Sequence, residues 1–368
     1  MAKAKLHELS EHGQSVWIDF LSRGMLQTGK LARLMEEDAV VGVTSNPTIF
    51  QKAISEGERY DEQLKEVLAQ EDDLKEIYLQ LTARDISSAC DLLRPVWDGT
   101  DGLDGYVSWE VDPKLAYDRD ATFEEATRLH DWIDKPNLYV KIPATEPGLG
   151  AIEDSIAEGR NINVTLTFSL QRHEAVMEAY VRGVERLVES GGDPSQVHSV
   201  ASFFVSRVDT EADKRLEQVG RTDLQGELAV ANAKLAYQNC KRVFSGERWE
   251  KLVARGAHIQ RCLWASTSTK NPAYSDVLYV DELIGPDTVN TMPEETILAF
   301  QDHGTVADTL EQGIDEARKL FDDLREAGVD YDDVSETLER EGVQKFSDSF
   351  DELLDGIRAK REQLVGVA

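Results

Sequence analysis

The chain has 368 residues, 41% hydrophobic and 30% charged, and its 40 basic and 70 acidic residues give a formal charge of −30. Such a composition supports a large core and excludes a disordered chain, while the length suits either two or three ordinary domains or one α/β barrel of about 200 to 400 residues. The acidic excess argues against nucleic-acid binding, which needs clustered Lys and Arg, and obliges any anionic substrate to find a local positive pocket.

The opening stretch, MAKAKLHELSEHGQSVWIDF, has no apolar core segment and no small-residue cleavage site, so no secretory signal is expected. No run of about 18 apolar residues occurs, so no membrane span or membrane partner is expected. Strands are predicted at 15–21, 40–45, 105–111, 137–143, 162–168, 197–205, 258–265 and 276–282. Most are nearly continuous apolar runs, as in a parallel sheet covered on both faces. Long amphipathic stretches at 60–93, 123–133, 169–189 and 223–244 read as helices. Ser169 is a candidate N-cap, and Gly191-Gly192 closes the same helix.

Eight strands alternating with helices predict a closed (β/α)8 barrel over residues 15–300. An open doubly wound sheet is the alternative, but it usually has fewer strands. Beyond residue 300, segments 305–327 and 334–364 alternate apolar and charged positions at helical spacing. We expect this extension, 301–368, to lie on the barrel within a single TIM-barrel domain, its charges forming a solvated face.

Cys90, Cys240 and Cys262 are odd in number and widely spaced, which suits reduced thiols in the cytoplasm and neither a disulfide framework nor a zinc site. The seven histidines form no pair at metal-ligand spacing. There is no phosphate loop, dinucleotide fingerprint or nucleophile elbow. These absences point to chemistry without a metal or cofactor.

Lys141, in Leu138-Tyr-Val-Lys-Ile-Pro143, is a lysine inside an apolar strand. A buried ammonium is costly, so it is either an ion-paired structural residue or a reactive amine. Desolvation disfavours the charged form, and a neutral amine attacks a ketone to give a Schiff base. Other polar residues recur near the strand ends, where barrel active sites lie: Asp19, Asn46, Glu110, and the pair Asn163 and Thr165, whose spacing of two puts them on one face. Each alone reads more readily as a satisfied buried group, but several on successive strands would converge on one barrel mouth. Ser202-Phe-Phe-Val-Ser-Arg207 and Ser266-Thr-Ser-Thr-Lys270 place hydroxyls and cations after strands six and seven, where barrels hold phosphate. The second stretch reads equally well as a polar turn.

Five stretches, in order, resemble the transaldolase family in its longer bacterial form: Gly42-Val-Thr-Ser-Asn-Pro-Thr-Ile-Phe50, Val107-Ser-Trp-Glu-Val111, Tyr139-Val-Lys-Ile-Pro-Ala-Thr145, Ile162-Asn-Val-Thr-Leu-Thr-Phe-Ser169 and Leu263-Trp-Ala-Ser266. The resemblance runs from about residue 17 to 285. It implies reversible transfer of a dihydroxyacetone unit from fructose 6-phosphate or sedoheptulose 7-phosphate to erythrose 4-phosphate or glyceraldehyde 3-phosphate, in the non-oxidative pentose phosphate pathway. It assigns the Schiff base to Lys141 and acid–base work through a water to Glu110, with Thr165 holding that water. Asp19 takes the proton when the carbon–carbon bond breaks. Asn46, Asn163 and Ser202 hold the dihydroxyacetone part, Phe204 lines the pocket, and Arg207 and Ser266 contact phosphate. Many family members carry an arginine two residues after that serine. Here the position is Ser268, and Lys270 is expected to replace the arginine. Sugar phosphates are the expected partners, for a monomer or a homodimer. A simple class I aldolase, an inactive sugar-phosphate binder and a scaffold acting through the tail are the competing readings. Lys141, Glu110 and Asp19 together argue against the inactive binder.

Overall fold

A computed structural model describes residues 5–55 and 58–365. The first four positions of the opening stretch and the last three of the expected tail lie outside them. Eight parallel strands close into a barrel in chain order. They are β1 (Gln14–Ile18), β2 (Val40–Val43), β3 (Tyr106–Glu110), β4 (Leu138–Pro143), β5 (Ile162–Thr167), β6 (Ser199–Phe204), β7 (Gln260–Ala265) and β8 (Thr288–Met292). β8 returns to pair with β1, with Gln14 opposite Thr288 and Ile18 opposite Met292. Helices alternate with the strands around the outside, so the fold is a (β/α)8 barrel with additional C-terminal helices.

Seven strands fall where the sequence puts them; the eighth does not. Residues 276–282 carry the short helix Leu278–Asp281, and the closing strand lies beyond the Gly285-Pro286 turn. Val277, Val280, Leu283 and Ile284 are buried at helical spacing, so the apolar run that resembles a strand is one helical face. The true strand is half polar, and several of its polar groups are paired inside the barrel. Gln14 Nε2 donates to Thr288 Oγ1 at 3.0 Å, and Thr267 Oγ1 donates to Asn290 Oδ1 at 2.9 Å. The predicted helix 60–93 is also two, Asp61–Leu68 and Leu74–Gly99, because Asp73 caps the second by accepting from the Glu76 backbone N–H. At 169–189 the expectation holds: Ser169 caps helix Leu170–Glu189.

The strands' period of two stacks the barrel interior in layers. At the N-terminal end, Tyr106 and Tyr139 stack with centroids 4.0 Å apart, beside Trp17. Gly42 leaves the room Trp17 needs, since a Cβ there would lie 2.5 Å from the indole. Asp104 accepts from Trp17 Nε1, Ser15 Oγ and Arg261, closing this end with a buried ion pair. Two to four residues further along the same strands the interior turns polar, with Asp19 after Trp17, Ser108 and Glu110 after Tyr106, and Lys141 after Tyr139.

The terminal helix Tyr331–Val365 crosses the C-terminal end of the barrel and packs on helices Pro47–Ser55 and Ser206–Val219. Thr48 Oγ1 donates to Ser349 Oγ at 2.8 Å, and Gly342 passes close over Leu166 and Phe168. Among the described residues, no helix is long and apolar enough to cross a membrane.

Candidate active site

At the C-terminal mouth lies a cavity of about 300 Å3. Nine of the residues singled out in the sequence line it: Asp19, Asn46, Lys141, Thr165, Ser202, Phe204, Arg207, Ser266 and Lys270. The other two stand directly behind the lining. Glu110 Oε2 accepts from Lys141 Nζ at 3.2 Å, and Asn163 Oδ1 accepts from Ser202 Oγ at 2.8 Å.

Strand register produces this convergence. Glu110 lies opposite Lys141, and Lys141 opposite Asn163, so three adjacent strands present a carboxylate, an amine and an amide side by side. Lys141 Nζ also donates to the Ser45 carbonyl at 3.3 Å. Ser45 Oγ in turn donates to the Ser108 carbonyl, and Asn163 Nδ2 donates to Ser108 Oγ at 2.9 Å. The amine is thereby fixed by a network spanning β2 to β5.

Burial pushes the Glu110 carboxyl up to about 6, with Lys141 holding it from going higher. Asp19 is also raised by burial, against the opposing pull of Lys141 and of the Thr44 hydroxyl, which donates to it at 2.6 Å. Thr44 is tied in turn to Thr291 at 2.7 Å. The two carboxyls therefore have different hydrogen-bond partners, Thr44 for Asp19 and Lys141 for Glu110, which suits separate proton transfers.

Ser266 holds a left-handed conformation, φ +57°, unusual for serine and found at the end of β7 where the chain turns across the mouth. Its carbonyl accepts from Ser206 N and its hydroxyl meets Ser206 Oγ at 2.9 Å. Arg207 follows directly, its guanidinium 5.1 Å from the Phe204 ring. Burial draws Arg207 down, and Asp19 and Glu110 oppose this. Lys270 reaches Ser268 Oγ at 2.6 Å, so the cation and the serine at the substituted position form one unit. Asn46 Oδ1 accepts from the Ile49 backbone N–H, capping helix Pro47–Ser55. Thr165 Oγ1 is buried and has no partner among the described residues.

A model of the transaldolase/fructose-6-phosphate aldolase family matches residues 16–357. The chain belongs to this family. A protein named transaldolase from Acidothermus cellulolyticus is 53% identical over 366 residues, covering 97% of this chain and 98% of its own. Another of that name from Mycobacterium tuberculosis is 50% identical over 359 residues, covering 96% of each. A transaldolase 2 from Streptomyces coelicolor is 48% identical, covering 98% of each. The resemblance read from five short stretches thus extends nearly end to end.

The site also holds residues that the sequence reading passed over. Thr44, Lys52, Thr291 and Glu295 line the cavity. Ser108 was within reach, being two residues before Glu110 on the same strand and so on the same face. Phe346, from the terminal helix, was not. Its ring closes the cavity 5.8 Å from Lys141 Nζ and 5.9 Å from the Arg207 guanidinium.

Proposed function

We propose that the chain is a transaldolase that transfers a dihydroxyacetone unit from fructose 6-phosphate or sedoheptulose 7-phosphate to erythrose 4-phosphate or glyceraldehyde 3-phosphate. The observation that carries this is Lys141 Nζ, 3.2 Å from Glu110, in a cavity that Asp19 also lines and cations rim, on a strongly acidic protein.

The Lys141 amine adds to the ketose carbonyl carbon and the resulting carbinolamine loses water to form the Schiff base. Glu110 is suited to move protons in both directions, because a carboxyl near 6 is readily protonated and deprotonated at working pH. The buried Thr165 hydroxyl supports a water between Glu110 and the reacting oxygen. Asp19 takes the hydroxyl proton of the next carbon but one, the carbon–carbon bond breaks, and its electrons pass into the iminium. An aldose phosphate leaves and an enamine remains on Lys141. Asn46, Asn163 and Ser202 hold that three-carbon unit until an acceptor aldehyde arrives. Bond formation, then hydrolysis, returns the amine.

Arg207, Ser266 and Lys270 contact the phosphate, and Phe204 and Phe346 exclude water from the intermediate. The described part of the C-terminal extension, residues 301–365, belongs to the same domain as the barrel, supported by the contacts of the terminal helix with the mouth. We place the enzyme in the cytoplasm, as a monomer or homodimer; three free, buried cysteines suit that compartment.

Fructose 6-phosphate supplied alone, then with erythrose 4-phosphate, tests the transfer. Turnover that depends on the acceptor supports it. Steady release of free dihydroxyacetone without acceptor would make the enzyme a simple aldolase.

A further inference from the structure

The phosphate contacts just named leave two cations at the mouth unused. Lys52 borders the cavity from helix Pro47–Ser55. Lys345 stands on the terminal helix immediately before Phe346, whose ring closes that cavity. One hydrogen bond joins their two helices: Thr48, one turn before Lys52, donates to Ser349, one turn after Lys345. Both lysines are exposed.

Their lack of partners is unusual here. With 70 acidic residues against 40 basic ones, most described arginines and lysines are held by carboxylates, even on the terminal helix, where Lys360 meets Asp61 and Arg358 meets Asp355. Among the described residues Lys52, Lys345, Lys270 and Arg207 have no carboxylate at ion-pair distance. They also repel one another. Arg207 first, then burial, Lys270 and Lys52 draw the Lys345 ammonium down. Three of these unpaired cations line one cavity and Lys345 adjoins its closing residue Phe346, and such a cluster of like charges implies an anion that neutralises them together. A phosphate dianion carries nearly two charges, and Arg207 is already drawn on by Asp19 and Glu110.

We propose that Lys345, with Lys52 beside it, forms the outer half of the phosphate site, so that the terminal helix helps select phosphorylated sugars. The inference rests on the sugar-phosphate reading and deepens it. It also accounts for the missing arginine at Ser268: compact ammonium groups from three different segments surround the position a single guanidinium would serve. Lys345 acts on binding and does not touch the reacting carbons.

The test is K345A, at an exposed helical position, with K345R beside it. In K345A the KM for fructose 6-phosphate should rise roughly tenfold, the weight of one charge-assisted hydrogen bond, with kcat nearly unchanged. K345R should recover most of the loss. With unphosphorylated fructose as donor, K345A and wild type should be alike. An unchanged KM for the phosphorylated donor, or an equal loss with fructose, would overturn the proposal. Inorganic phosphate titrated calorimetrically into both proteins gives a readout independent of turnover. Weaker binding by K345A supports the site, and equal binding overturns it. Wild type that binds phosphate but fails to turn over fructose 6-phosphate would instead sink the transaldolase reading.

Discussion

Glu110→Gln separates the chemistry from the fold most sharply. Lys141 and Glu110 form a buried pair with side chains only 5% and 3% exposed. Removing one partner of such a pair costs about 3–5 kcal/mol. Glutamine keeps an acceptor for Lys141, and it relieves the burial of a carboxylate whose folded-state value, about 6, lies above its ordinary 4.5. The sign of that shift matters: the folded state holds the proton more tightly, so ionising Glu110 opposes folding as pH rises from 4.5 through 6. The net cost is therefore at the low end, about 3 kcal/mol. With roughly 2.1 cal/mol/K of unfolding entropy per residue over the whole chain, Tm falls by roughly 4 °C and the protein stays folded at assay temperature. Turnover should fall about 10²–10⁴-fold, the usual contribution of a positioned acid–base group. In wild type, kcat/KM should decline below about pH 6 as Glu110 takes up its proton. In the variant the Glu110 part of that limb should vanish, leaving only the fall that protonation of Asp19, also raised by burial, produces. The assay is acceptor-dependent turnover between pH 5 and 8 with Tm measured in parallel. A pH profile that the substitution leaves unchanged, or activity within about tenfold of wild type, would refute Glu110 as the proton carrier.

Phe346→Ala opens the cavity beside Lys141, so more of the covalent intermediate should be lost to water. The ratio of free dihydroxyacetone to transfer product should rise, and an unchanged ratio removes Phe346 from this role. Gly42→Ala puts a Cβ 2.5 Å from the Trp17 indole. Overpacking of that kind costs about 1–3 kcal/mol, a Tm loss of roughly 1–4 °C by calorimetry; an unaltered Tm would contradict the close contact of Gly42 with Trp17. Lys270→Ala should raise the KM for fructose 6-phosphate roughly tenfold and leave kcat largely intact. An unchanged KM would remove Lys270 from the phosphate site.

What the sequence revealed follows from how local each signal is. A lysine within Leu138–Pro143 stands out because burial makes it expensive wherever the strand goes, and the period of two carries Asn163 and Thr165 to one face without knowledge of the fold. β8 escaped for the opposite reason. Its Thr288, Asn290 and Thr291 side-chain oxygens pair with Gln14, Thr267 and Thr44 from elsewhere in the chain, so nothing in five residues reveals a barrel strand. The neighbouring Val277–Val280 run is apolar for a helical reason. Phe346 and Lys345 escaped because a helix whose charges alternate with apolar positions looks the same whether it covers solvent-facing barrel wall or the reacting lysine. Only the docking of Ser349 on Thr48 and of Gly342 over Leu166 decides that.

The central claim is that Lys141 forms a Schiff base with the donor sugar. Incubation with fructose 6-phosphate, reduction with borohydride and peptide mass spectrometry test it most directly. The account predicts a reduced three-carbon adduct on the peptide that carries Lys141, absent from Lys141→Met. Folded wild-type protein that yields no adduct, or an adduct on another lysine, would contradict it.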